Sequence, residues 1–168
     1  SVFGDDLRAP DAEAEMDWVV RMVGELRAVR SEMNVPPSAE LPLTLTGASE
    51  ATVRRLETNE GILLRLARLS TITLSDNVPK GAVQVVVDET TAAVLIGEFI
   101  DVSQEVERLR KEIGKVDGEI GKIEKKLGNA GFIANAPPEV VDEQRERASD
   151  YEQSRRKLSE ALDRLSAL

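Results

Sequence analysis

Apolar residues recur along this chain in three different rhythms. Between residues 12 and 33, Val19, Met22, Val23, Leu26, Val29 and Met33 keep the three- and four-residue spacing of one helix face. Asp11 is the expected N-cap, and Pro36-Pro37 is the expected stop, because proline lacks an amide donor and clashes with the preceding turn. Trp18 and Val20 fall beside the main stripe. The helix thus carries more apolar surface than one partner needs, as expected of a helix cut from a larger bundle. Alone, it should cover that patch by self-association or by folding back on the rest of the chain.

The rhythm then shortens. Leu41, Leu43 and Leu45 alternate with Pro42 and Thr44, which predicts a strand with proline at an edge or at its start. Ser49 is placed to cap a helix of about 50–68 that turns Val53, Leu56, Ile62, Leu63, Leu66 and Leu69 inward, with a break possible at Asn59-Glu60-Gly61. Short runs at 71–75, 82–88 and 92–97 read as strands, the last two joined by a hairpin through Glu89-Thr90-Thr91.

From 102 the spacing is a heptad. Val102, Val106, Leu109, Ile113, Val116, Ile120, Ile123 and Leu127 alternate steps of four and three. Gly128-Asn129-Ala130-Gly131 ends this run and Pro137-Pro138 opens another, carrying Val141, Gln144, Ala148, Tyr151, Arg155, Leu158, Leu162 and Leu165. Paired antiparallel, the two seams bring Leu127 to Val141, Ile120 to Ala148, Ile113 to Arg155 and Val106 to Leu162. The fold class is therefore α+β: an N-terminal helix (1–37), a small mixed sheet with one covering helix (38–100), and a long antiparallel two-helix coiled-coil hairpin (101–168).

Composition narrows the chemistry. The chain has 168 residues with no His and no Cys. That excludes imidazole bases, Ser-His-Asp and Cys-His pairs, thiolate zinc sites and disulfides. Aromatics make up 3%, too few for a stacking platform on single-stranded nucleic acid. The formal charge of −9 argues against a generally basic binder, but it is unevenly placed. Residues 102–168 hold 13 Lys/Arg and 14 Asp/Glu, which leaves 9 and 17 for residues 1–101. No apolar stretch approaches the roughly 20 residues of a membrane span, so no membrane partner is expected. The start, which lacks Met and has no signal-peptide pattern, predicts an excised piece.

Charges on the first coil helix are sorted. With Val106 at heptad position a, Glu105, Glu112, Asp117, Glu119 and Glu124 fall at e or g beside the seam, while Arg108, Lys111, Lys115, Lys122 and Lys125 fall at c or f on the outer face. One reading is a solvated face whose acids pair with Arg145 and Arg147. The other is a basic ridge that meets a phosphate backbone, with Gly114, Gly118 and Gly121 permitting close approach. Phe132 in the turn either plugs the end of the coil or presents an apolar tip. Arg155, at a seam position, is expected to snorkel. The acid pairs Asp5-Asp6 and Asp88-Glu89 read as exposed loop charges, and no glycine-rich phosphate loop follows a strand, so no metal or cofactor is expected in this piece.

Three segments resemble one family. Trp18 leading into Leu26-Arg27-Ala28-Val29-Arg30-Ser31-Glu32-Met33-Asn34-Val35-Pro36-Pro37 resembles the last helix of the anticodon-binding bundle of bacterial valyl-tRNA synthetases. Asn59 to Leu69 is similar to the same enzymes. So is the run from Glu107 through Leu127-Gly128-Asn129-Ala130-Gly131-Phe132 to Ala136-Pro137, which has the turn form L-x-N-x-G-F-x-x-x-A-P that closes their coiled-coil arm. The resemblance implies a cytoplasmic, monomeric parent that joins valine to its tRNA with ATP and Mg and hydrolyses mischarged threonyl-tRNA. It also implies an arm that reaches the outer corner of the tRNA. Of that chemistry this piece holds none, since adenylation signatures of the H-I-G-H and K-M-S-K-S types are absent. The tRNA-contacting candidates are Arg108, Lys111, Lys115, Lys122, Lys125 and Phe132. The rival is a protein-interaction or dimerisation coiled coil with no RNA role. A self-sufficient carboxylate hydrolase is disfavoured by the missing bases.

Overall fold

The computed structural model describes the backbone of residues 2–168 and the side chains of residues 10–168. Two compact units divide the chain, residues 1–101 and 102–167.

The first unit contains α1 (Val2–Glu32), β1 (Leu41–Thr46), α2 (Glu50–Leu66), β2 (Leu69–Leu74), β3 (Ala82–Val87) and β4 (Thr90–Leu95). The strands form one mixed sheet in the order β2-β1-β4-β3. β1 runs parallel to β2, with α2 as the crossover, and antiparallel to β4, which forms a hairpin with β3. β1 is thus an interior strand, not an edge. Pro42 is tolerated at its start because pairing with β4 begins only at Leu43, so no ladder bond needs the missing amide. Leu41, Leu43 and Leu45 are buried, as are Val83, Val85 and Val87, which is the period-two pattern of a sheet covered on one face.

Two helices pack here where the sequence predicts one to cover the sheet: α2 lies against β2, and α1 against β3 and α2. Trp18, Met22, Leu26, Val29 and Met33 are all at most 1% exposed within this single chain. The helix thus folds back on its own unit, the second of the two expected outcomes, and the expectation of an orphaned bundle helix is corrected. Of the two apolar groups beside the main stripe, Trp18 is used internally while Val20 stays 62% exposed, and each fully buried side chain contributes ~1.5–3 kcal/mol. Arg21 ties the same helix to the β3–β4 turn, donating to Asp88 at 2.7 and 3.0 Å and to Asp17 at 2.8 Å.

Helix ends also differ from expectation. Asp11 is no cap, because α1 continues upstream through Pro10. Asp5 and Asp6 likewise fall within α1 rather than in a loop, although their side chains lie outside the described residues. The helix stops before the prolines. Asn34 adopts a left-handed φ of 53°, the Val35 amide donates to the Arg30 carbonyl and the Asn34 amide to that of Ser31. This is a Schellman closure, for which Asn is the usual substitute for glycine. α2 is capped by Ser49, whose Oγ accepts from the Thr52 amide, and it runs unbroken through Asn59-Glu60-Gly61. Asn59 is accommodated because its Nδ2 donates to the Arg55 carbonyl one turn back. Leu66 is exposed at the end of α2, and Leu69 belongs to β2. The β3–β4 turn is Asp88-Glu89, tighter than the three-residue link expected, since Thr90 already pairs with Val87.

The second unit is a helical hairpin: α3 (Val102–Leu127), a short α4 (Ala130–Asn135) in the turn, and α5 (Pro138–Ser166) packed along α3. The turn helix has no counterpart in the heptad pattern; Asn129 caps it by accepting from the Gly131 and Phe132 amides. Pro138 occupies the first turn of α5, where its missing donor leaves no carbonyl unpaired. Every seam residue of α3 is buried or half-buried, with Leu109 and Ile123 fully so. Among the described residues, no helix is long and apolar enough to cross a membrane.

Candidate nucleic-acid interface

The seam fixes which way α3 turns. With positions a and d against α5, the c and f positions face outward, and the exposure follows. Lys111, Lys115, Lys122 and Lys125 are exposed, with Lys115 and Lys122 side chains at 68% and 74%. Arg108 is half-buried. The row from Arg108 to Lys125 spans 17 helical steps, or about 26 Å of helix.

Glu105, Glu112 and Glu119 partner bases within α3, whereas Asp117 reaches across to Arg155 of α5. Arg108 binds Glu105 at 2.9 Å, Lys115 binds Glu112 at 3.5 Å and Lys122 binds Glu119 at 3.4 Å, all three residues apart. The expected pairing of the acids with Arg145 and Arg147 is thus corrected. Arg145 turns instead to Asp142 at 3.6 Å, and no ion pair of Arg147 occurs among the described residues. A g-position acid and a c-position base one turn on are neighbours on one helix, nearer than the partner helix allows. The exposed Lys115 and Lys122 pairs hold ~0.2–0.5 kcal/mol, so a phosphate can displace their carboxylates at little cost, whereas Glu105, which binds Arg108, is buried. Lys111 and Lys125 have no ion pair among the described residues.

Gly114, Gly118 and Gly121 interrupt the outer surface of α3. A Cβ built on any of them meets nothing within 4 Å, so packing inside the hairpin does not require glycine there. Phe132 is half-buried on α4, which packs against α3, while Ile133 and Val140 beside it are 37% exposed. Ile133 lies outside both heptad seams, so its exposure carries no signal in the sequence. Arg155 does emerge from the seam, binding Asp117 across the hairpin at 2.5 Å; that contact raises its pKa further.

A second basic cluster lies in the first unit. Arg27 and Arg30 near the end of α1 and Arg65 and Arg68 at the end of α2 line one groove of about 410 Å3. Two Arg-x-x-Arg steps in the sequence signal it, but only the α1–α2 packing brings them together. By contrast, Asp88 and Glu89 are structural: Asp88 is held below the usual carboxylate range by Arg21, and Glu89 is pushed down to about 2 by the Thr52 and Ser49 hydroxyls. No group of three His, Cys, Asp or Glu side chains gathers among the described residues.

Residues 101–166 match the family model described as the valyl tRNA synthetase tRNA binding arm. Beyond that segment, the chain is 48% identical over 158 residues to the valine–tRNA ligase of Caulobacter vibrioides, covering 94% of this chain and 17% of that protein. It is 42% identical to that of Mesorhizobium japonicum and 46% identical to that of Bradyrhizobium diazoefficiens, in each case over 95% of this chain and 17% of the relative. The chain thus spans about a sixth of the length of the curated relatives it matches.

Proposed function

We propose that this chain, a homologue of the C-terminal region of bacterial valine–tRNA ligase, binds tRNA through its helical hairpin and contributes binding, not bond-making, to its parent. The observation that carries the reading is the outward row Arg108, Lys111, Lys115, Lys122 and Lys125, set on a helix whose apolar seam is already occupied by α5. Phosphate contacts from such a row orient an RNA without reading its bases. We take the target to be the outer corner of a valine-specific tRNA. The parent would be a cytoplasmic monomer that charges and edits this tRNA, with ATP and Mg handled by other parts of the protein. In that parent, α1 would close the anticodon-binding bundle.

The competing reading, a dimerisation coiled coil, needs an open apolar seam. The intramolecular hairpin leaves little of one: Leu109, Ile123, Val141, Ala161 and Leu165 are all buried within the single chain. Titration of a tRNA transcript across a salt series decides between them. A phosphate-holding arm loses affinity steeply with salt, by a slope of ~0.7–0.9 per phosphate held. A dimerising arm shows no binding at low salt and a sedimentation mass that rises with concentration.

A further inference from the structure

The groove in the first unit collects four of the nine basic residues that residues 1–101 possess, in a segment that also holds 17 acids. Among the described residues, no carboxylate lines it. Its walls lie at the C-terminal ends of α1 and α2, whose dipoles offset about half a charge each, roughly one of the four. Arg30 has a structural share in the site. Its Nη atoms donate to the Pro36 carbonyl at 2.9 Å and to that of Arg68 at 3.4 Å, anchoring the loop that follows α1. Partial burial and the nearby Arg68 charge lower its pKa. Arg27, Arg65 and Arg68 are exposed and have no ion pair among the described residues. Arg68 is also held at φ 53°, a backbone region that a long side chain seldom adopts. Pro37 and the exposed Leu66 supply an apolar wall beside the charges.

Four guanidinium groups facing one groove repel each other until an anion arrives, and rigid guanidinium forks match phosphate oxygens in pairs. We propose that this groove is a second RNA contact of the chain, a site for a backbone phosphate held by Arg27, Arg65 and Arg68, with Leu66 and Pro37 packing against the adjoining sugar. The proposal rests on the reading of the chain as RNA-binding but not on the hairpin's part in it.

The test uses the full chain and two paired variants. Arg27→Gln with Arg65→Gln removes two groove charges that form no ion pair among the described residues. Lys115→Gln with Lys122→Gln weakens the hairpin row. Binding of a tRNA transcript is measured by fluorescence anisotropy between about 50 and 200 mM salt. The groove variant is expected to bind roughly tenfold more weakly at the lowest salt, with a slope shallower by ~0.7–0.9 for each phosphate no longer held. Equal affinity and slope for the groove variant and the parent chain overturn the proposal, whereas equality for the lysine variant overturns only the hairpin reading. No binding by the parent chain at the lowest salt overturns both. Side-chain Nε–H resonances locate the site: Arg27, Arg65 and Arg68 should shift with the transcript well below the concentration at which inorganic phosphate or adenosine monophosphate moves them. A response to the small anions with none to RNA marks a free-anion site and overturns the RNA assignment.

Discussion

Arg155 reaches past the residue that faces it, binding Asp117 one helical turn beyond Ile113. The displacement has a simple cause. Helix side chains lean toward the N-terminus of their own helix, and in an antiparallel pair that direction runs toward the C-terminus of the partner. A seam arginine on α5 therefore arrives four residues further along α3 than its heptad partner. Both groups stay nearly half exposed, at 45% and 47%.

Asp117→Asn should accordingly cost the hairpin little at low salt and almost nothing at about 1 M, where charges are screened within ~3 Å. Arg155→Leu should raise the urea midpoint of the hairpin, because an apolar side chain at that position joins the seam and leaves Asp117 in water. A fall in the midpoint for Arg155→Leu would show that the ion pair is a major stabiliser.

Replacing Lys111, Lys115, Lys122 and Lys125 together with Ala should weaken tRNA binding and flatten its salt slope by ~0.7–0.9 for each phosphate released. Replacing Glu112, Glu119 and Glu124 with Gln should leave binding unchanged or tighten it, since Lys115 and Lys122 are then released from their carboxylates. Equal weakening by both sets, read in the same anisotropy titration, would contradict a basic ridge.

The helix glycines separate stability from RNA approach. Gly114→Ala, Gly118→Ala and Gly121→Ala meet no neighbour, so each should stabilise the hairpin by ~0.4–1 kcal/mol through helix propensity. If RNA lies close over this face, the same triple variant should bind tRNA less tightly although it unfolds at higher urea. Tighter or unchanged binding would place the RNA away from the glycines.

Glu89 provides a pH signature. Ser49 and Thr52 donate to its carboxylate and hold it at about 2 against an ordinary 4.5. Its contribution to stability is full above pH 4.5 and is lost as the pH falls toward 2. Glu89→Gln should therefore lower the stability of the sheet unit at neutral pH and give a shallower acid limb, the two curves converging near pH 2 in chemical unfolding. Parallel curves would assign the acid loss to other carboxylates.

Local patterns in the sequence reach the features that depend on local chemistry. The heptad seams foretell α3 and α5, and Ser49 foretells the start of α2, because periodicity and capping are properties of a few neighbouring residues. Features that depend on distant packing are not legible. Trp18 looks surplus to one helix face because nothing in the chain says that α1 will lie against both β3 and α2. Pro42 points to an edge because its freedom depends on where β4 begins to pair. The c/f bases are visible on the helix wheel, but their carboxylate partners are not, since three-residue neighbours compete with the facing helix and win by distance. The arginine groove is the least accessible: its two halves are 38 residues apart and meet only through the folding of α1 beside α2.

Burial along the hairpin is uneven, and that makes it a mechanical element with a soft middle. Fully buried residues gather toward the open end (Leu109, Ala161, Leu165) and toward the turn (Ile123, Val141, Gln144), whereas the seam residues Ile113, Val116, Ile120, Ala148 and Tyr151 between them are only half-buried. The three unhindered glycines of α3 fall in the same central stretch. Under a sideways load the hairpin should bend there, as a beam yields at its thinnest section. A bend of about 10° at the centre displaces a tip ~20 Å away by only ~3 Å, estimated from the helical rise. That is enough play to carry the outward side chains of Lys122 and Lys125 by a few ångström relative to the open end.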